Sequence, residues 1–140
     1  MKKETLKKLS DALNEKVYSK IDYLHCGGCG FAALALIDAL QKLGEEARLV
    51  SRNGYGHLLV EVKVEHGKSL RKVVMDCSMA GYEWDYRYGY ADVKQLKRDL
   101  KDEYNWNDAF DRGNLPKMRR AIRKVVDDVL KPCAEPVETT

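Results

Sequence analysis

The chain has 140 residues, a length typical of one domain with its own hydrophobic core. Apolar residues make up 44% and charged residues 34%, which excludes a disordered or membrane-embedded composition. The net charge is only +3, so we expect neither nucleic acid nor a membrane as a partner.

The N-terminal sequence lacks the features of a secretory signal. Glu4 follows the basic start of the chain, and no apolar segment comes after it. No stretch reaches the roughly 20 apolar residues that a membrane-spanning helix needs. The four cysteines, at positions 26, 29, 77 and 133, are therefore expected to be thiols in a reducing, cytoplasmic environment.

Two helices are predicted in the N-terminal third. Residues 4–24 carry apolar side chains at spacings of three and four, which predicts one amphipathic helix. Residues 29–43 form a second helix that is apolar on nearly every side, so we expect it to be buried between other elements. Gly44 is predicted to cap its C-terminus.

The hydrophobic period then changes to that of β-strands. Residues 47–51, 57–64 and 71–76 are predicted to be strands, separated by turns at 52–55 and 65–69. Because the connections are short, we expect an antiparallel meander.

Aromatic residues alternate through the next segment. They lie at positions 82, 84, 86, 88 and 90, and in an extended segment all five would share one face. This pattern is typical of an edge strand or ordered loop that packs its rings on the core. The alternative is the wall of a substrate groove, with Tyr82 and Trp84 as contacts.

Two further helices are predicted at residues 91–104 and 114–130. Pro132 is expected to end the second, so that residues 1–131 form a single domain and residues 132–140 a disordered tail. The basic residues between 117 and 124 are interpreted as a solvated helix face or a docking surface.

Three residues in this order point to an activated thiol. Cys29 lies where a glycine-rich loop becomes a helix, and the free N–H groups and partial positive charge there stabilise a thiolate. His57 begins one predicted strand and Asp76 ends the next, so an antiparallel pair brings them together. If the helix starts at that same end, Asp76 orients His57, which holds or removes the thiol proton.

Four segments together resemble the transglutaminase-like core of the papain-like cysteine protease superfamily. They are residues 28–34, 43–50, 56–62 and 73–76. The resemblance implies an α+β papain-like domain, with a buried nucleophile helix packed on a small antiparallel sheet and additional helices at both ends. It implies Cys29 as nucleophile, His57 as general base and Asp76 as the group that orients it.

The implied reaction is acyl transfer through a thioester, most simply by a peptidase or amidase acting on a peptide or protein amide without a cofactor. The chain departs from the family where Leu58 and Leu59 replace the usual aromatic after the histidine, and no glutamine precedes Cys29. Backbone N–H groups near Cys29 are therefore expected to bind the oxyanion. The residues expected to assist or to contact substrate are Tyr23, His25 and Gly28.

Other classes of function compete with this interpretation. A structural zinc site would use Cys26, Cys29, His57 and Cys77. Cys26 and Cys29 also have the spacing of a redox dithiol, and a reversible disulfide between them would switch the enzyme off. A catalytically inactive binding module is a further alternative. The sequence leaves open the substrate, the choice between water and an amine as acceptor, and the oligomeric state.

Overall fold

The computed structural model describes residues 1–20, 28–52, 57–77, 81–84, 87–98 and 114–134. The helices are α1 (Lys3–Lys16), a 3-10 turn (Tyr18–Lys20), α2 (Gly28–Lys42), α3 (93–98) and α4 (Asn114–Ala134). The strands are β1 (Ala47–Arg52), β2 (His57–His66), β3 (Ser69–Asp76), β4 (Tyr82–Trp84) and β5 (Gly89–Tyr90). This mixture of helices and sheet confirms the α+β class.

The strands form one antiparallel sheet in the order β4-β3-β2-β1-β5. The predicted meander of β1, β2 and β3 is confirmed, and the second turn is tighter than predicted. Gly67 takes a positive φ of 61° in this turn, which glycine adopts without steric cost. In the register, Val50 and Asp76 lie on either side of Leu59.

The two faces of the sheet have different neighbours. One face carries Val60, Val62, Val73 and Met75, which join the main core together with buried residues of the helices. Helix α2 contacts β1, β2 and α4, so it is covered on several sides, as its apolar sequence predicts. The other face carries a separate small cluster of Val50, Leu59 and Val74, on which Tyr88 packs.

Helix α2 ends in the predicted glycine cap. Gly44 has a φ of +82°, and its N–H donates to Gln41 O at 3.0 Å. The N–H of Glu45 donates to Leu40 O at 3.1 Å. These two bonds satisfy carbonyls that the helix end would leave free, which is the Schellman arrangement.

The prediction of a single helix over residues 4–24 is wrong. Helix α1 ends at Lys16, and a 3-10 turn follows at Tyr18–Lys20. Val17, the residue after α1, has a φ of −123° and leaves the helical conformation, and both Val17 and Tyr18 are buried. Residues 21–24 of the predicted helix lie outside the described residues.

The described aromatic residues of this segment do not share one face, contrary to the prediction, and Tyr86 lies outside the described residues. Tyr82 and Trp84 belong to β4 at one edge of the sheet and pack against the main core. Tyr90 belongs to β5 at the opposite edge, and Tyr88 packs on the other face. The alternation breaks because the chain changes sheet edge between Trp84 and Gly89.

The C-terminal helices are close to those predicted. The described part of α3 covers residues 93–98, and the rest of the predicted helix, to residue 104, lies outside the described residues. Helix α4 continues to Ala134, so the prediction that Pro132 ends it is wrong. The last turn of α4 thus includes a proline, although its ring removes one backbone donor and crowds the carbonyl four residues before it. No helix in the described part of the chain is both long and apolar enough to cross a membrane.

Candidate functional site

His57 and Asp76 are in direct contact at one end of the sheet. His57 Nε2 lies 2.7 Å from Asp76 Oδ2, a charge-assisted hydrogen-bond distance. The imidazole is 28% exposed and the carboxylate 13% exposed, so the pair is largely screened from water while one side of the ring stays accessible. The contact uses Nε2, which leaves Nδ1 as the nitrogen that can meet a second group.

The sheet register explains this contact. Asp76 is the direct partner of Leu59, and His57 precedes Leu59 by two positions on the same face. The two functional side chains are therefore diagonal neighbours, a separation that long side chains span. They share their face with the small cluster under Tyr88.

Cys29 is the second residue of α2, where the free backbone N–H groups of the helix are concentrated. Its thiol is free and half-buried, and it packs against the main core. Among the described residues, no hydrogen bond joins Cys29 to His57. The strand alternation directs His57 and Asp76 to the face that carries Tyr88, whereas Cys29 packs against the main core on the other face, so the structure does not bring the thiol to the imidazole.

Cys77 connects the two halves of the site. It directly follows Asp76, is fully buried in the main core and has a free thiol. Burial raises the pKa of this thiol to about 12. A contact with Tyr18 lowers the pKa, and the charges of Asp76 and Cys29 each raise it by a smaller amount. Cys29 and Asp76 thus both lie within electrostatic range of one thiol, so α2 begins at the end of the sheet that carries the His57–Asp76 pair.

Tyr18 is a member of this neighbourhood that the sequence analysis did not identify. Its side chain is 3% exposed, and its hydroxyl has no hydrogen bond of regular geometry with the described residues. Burial raises the pKa of Tyr18 well above its ordinary value, and Cys77 and Asp76 contribute further. A tyrosine just after an amphipathic helix gives no sequence signal for such a position, because its place beside Cys77 depends on long-range packing.

The remaining predicted contacts are distributed over the molecule. Tyr82 pairs with Met75 on the main-core side, close to Asp76, whose N–H donates to Gly81 O at 2.8 Å. Trp84 lies toward the other end of the sheet, where its ring is 6.2 Å from His66, so it is not near the His57–Asp76 pair. Gly28 is the first residue of α2.

Three predicted residues cannot be placed. Tyr23, His25 and Cys26 lie outside the described residues, so the predicted oxyanion contacts, the zinc set and the redox dithiol all include a residue that the structure does not describe. Within the described part of the chain, no three His, Cys, Asp or Glu side chains are grouped as metal ligands.

The arrangement supplies the parts of thiol chemistry. A histidine is oriented by a carboxylate, and a half-buried thiol stands on the first turn of a helix at the same end of the sheet. An oriented histidine can move a proton, and the helix N–H groups can stabilise negative charge. No known protein family, no curated protein and no solved structure matches this chain significantly.

Proposed function

We propose that this protein is a cysteine-nucleophile acyl-transfer enzyme of the transglutaminase-like, papain-like type, acting as a peptidase or amidase. The observation that carries the proposal is the 2.7 Å contact between His57 and Asp76 at the end of the sheet where the first turn of α2 carries Cys29. The motif order supports the same conclusion. Its substrate would be a peptide or protein amide, and the mechanism needs no cofactor.

The tautomer of His57 follows from its contact with Asp76. A carboxylate accepts a hydrogen bond, so it holds the ring proton on Nε2 and leaves the lone pair on Nδ1. Nδ1 would accept the proton of the Cys29 thiol as sulfur attacks the amide carbonyl. The resulting imidazolium would lie against the Asp76 carboxylate, which stabilises its charge.

The later steps use the same groups. The protonated His57 would give its proton to the leaving amine as the C–N bond breaks, which leaves a thioester on Cys29. Water would then lose a proton to His57 and attack the thioester, releasing the acid and the free thiol. Backbone N–H groups in the first turn of α2 would bind the oxyanion that forms in each half-reaction.

The test is acylation of Cys29 by p-nitrophenyl acetate. We expect release of p-nitrophenolate together with a protein that carries one acetyl group on Cys29, located by peptide mass spectrometry. Cys77 is the internal control, because its buried thiol should stay unmodified in the folded protein. Cys29→Ala should abolish acylation, and His57→Ala should slow it by about 100-fold or more.

Zinc content is measured on the same samples. If Cys29 reacts no faster than the cysteine of glutathione, and His57→Ala does not slow it, the proposal is wrong. If Cys29 does not react until a chelator removes stoichiometric zinc, the cysteine belongs to a structural metal site and the proposal of an enzyme is wrong. Adding glycinamide to the acetylated protein then shows whether an amine competes with water for the thioester.

A further inference from the structure

Two cations converge on one exposed tyrosine at the edge of the sheet. The guanidinium carbon of Arg48 lies 3.7 Å from the centre of the Tyr90 ring. The ammonium group of Lys72 lies 5.8 Å from the same ring centre and donates a hydrogen bond to the Tyr90 hydroxyl at 3.2 Å. Tyr90 is 47% exposed, so this cluster is open to solvent.

These two cations have no carboxylate partner among the described residues, unlike the cation beside them. Lys63 forms an ion pair with Glu46 at 2.7 Å. The Glu61 carboxylate is 3% exposed and accepts a hydrogen bond from the Tyr88 hydroxyl.

Arg48 and Lys72 are therefore both held against the electron-rich Tyr90 ring, while the buried Glu61 carboxylate, on the residue paired with Arg48, already accepts a hydrogen bond from Tyr88. An anion placed between them would relieve their repulsion and gain two charge-assisted hydrogen bonds.

The sheet register places this cluster on the same face as the His57–Asp76 pair. Arg48 is the direct partner of Glu61, and Lys72 is the direct partner of Lys63. Glu61 and Lys63 follow His57 by four and six residues along β2, so the two cations lie about 14 and 20 Å from His57 along the strand. An extended peptide with its reacting amide at His57 would reach them after about four to six residues.

We propose that Arg48, Lys72 and Tyr90 bind a carboxylate of a peptide substrate, so that the enzyme selects acidic peptides. The inference rests on the proposed function, because it assigns this face to a substrate whose amide reacts near His57. The carboxylate belongs to an Asp or Glu side chain or to the C-terminus of the peptide. Tyr88, which packs between the cluster and the His57–Asp76 pair, supplies an apolar surface for the intervening residues.

The test measures peptide binding to the Cys29→Ala variant, in which no acylation can occur. The probes are fluorescein-labelled peptides of about eight residues, compared by fluorescence anisotropy. One is rich in Glu with an amidated C-terminus, the second has Gln at the same positions, and the third is the Gln peptide with a free C-terminal carboxylate. We expect the Glu peptide to bind about tenfold more tightly than the amidated Gln peptide at low salt, and less so as salt is added.

Single charge-removing variants locate the site. Arg48→Gln and Lys72→Gln should each lower the preference for Glu over Gln by about threefold. The control is Lys124→Gln, which removes an exposed charge from α4 and should leave the preference unchanged. If the third peptide binds as tightly as the Glu peptide, the ligand is a terminal carboxylate; if it binds like the amidated Gln peptide, the ligand is a side chain.

The inference is overturned if the Glu peptide shows no preference, or if Arg48→Gln and Lys72→Gln behave like Lys124→Gln. Its failure can be told apart from failure of the proposed function. Charge-selective binding without acylation of Cys29 would support the peptide-binding site and contradict the proposed enzymatic function. Acylation of Cys29 without charge-selective binding would support the enzymatic function and contradict this binding site.

Discussion

Asp76 contacts His57 at 2.7 Å although Leu59, not His57, is its direct partner in the sheet. The contact is a diagonal one between alternate positions of neighbouring strands, so it depends on both the register and the rotamers of two side chains. A shift of one residue would move the imidazole to the other face of the sheet. The geometry of the His57–Asp76 pair is therefore fixed by the β2–β3 hairpin.

The first prediction concerns the orientation of His57. Asp76→Asn keeps the size of the side chain but allows the amide to donate to Nε2, which favours the tautomer with its proton on Nδ1. We expect the rate of Cys29 acylation by p-nitrophenyl acetate to fall by about 100- to 10,000-fold. An ¹⁵N NMR spectrum of the imidazole reports the tautomer directly. Asp38→Asn, an exposed carboxylate on α2, is the control and should leave both measurements unchanged. An unchanged acylation rate in Asp76→Asn would remove Asp76 from the mechanism.

The second prediction concerns stability at high pH. The Cys77 thiol has a pKa of about 12 in the folded chain and an ordinary value of 9.0, so above pH 9 the unfolded state loses a proton that the folded state keeps. The free energy of unfolding should therefore fall as the pH rises from about 9 to about 12, by up to about 1.4 kcal/mol for each pH unit. Urea denaturation at a series of pH values measures this slope. Cys77→Ala should show a smaller slope, and equal slopes in the two proteins would contradict the prediction.

The third prediction concerns the Tyr18 hydroxyl, which has no hydrogen bond of regular geometry with the described residues and only a weak contact with the Cys77 thiol. Removing a buried hydroxyl of this kind relieves its desolvation, so Tyr18→Phe should leave the free energy of unfolding unchanged or raise it by up to about 1 kcal/mol. Tyr88→Phe is the comparison, because the Tyr88 hydroxyl does donate a hydrogen bond, to Glu61. Denaturation curves at pH 7 compare the two, and a loss of more than about 1 kcal/mol in Tyr18→Phe would show that the hydroxyl has a partner.

The fourth prediction concerns the buried carboxylate of Glu61, which accepts a hydrogen bond from the Tyr88 hydroxyl. Burial and this carboxylate together raise the pKa of Tyr88. Tyr88→Phe leaves the carboxylate without that donor, so we expect a loss of about 1–3 kcal/mol. Glu61→Gln in the same chain should recover part of the loss, because an uncharged amide is less costly to bury. Tyr90→Phe, at an exposed tyrosine, should cost much less; similar losses in all variants would contradict the prediction.

The fifth prediction concerns the cap of α2. Gly44 has a φ of +82°, which strains any residue with a Cβ atom, although nothing lies within 4 Å of where the Cβ would be. Gly44→Ala should therefore lower the free energy of unfolding by about 1 kcal/mol, through the backbone alone. Gly44→Asn should cost less, because asparagine tolerates this conformation better. Thermal denaturation compares the two variants, and an equal cost would indicate a steric rather than a conformational cause.

The sequence by itself determined the elements whose pattern is strong and local. The apolar surface of α2, the glycine that ends it and the alternation of β1, β2 and β3 are each readable within a dozen residues. The meander also brings His57 and Asp76 to one end of the sheet, because antiparallel neighbours join the start of one strand to the end of the next.

Only the tertiary structure decided where long-range packing overrides a local period. The aromatic segment reads as one strand, but its halves pair with β3 and β1 at opposite edges of the sheet. Tyr18 reads as part of a helix, but α1 ends at Lys16 and Tyr18 lies buried in the 3-10 turn that follows. The cluster of Arg48, Lys72 and Tyr90 joins residues from three strands. The periodicity of a single segment does not predict these pairings, because they depend on which sheet edges and faces the folded chain brings together.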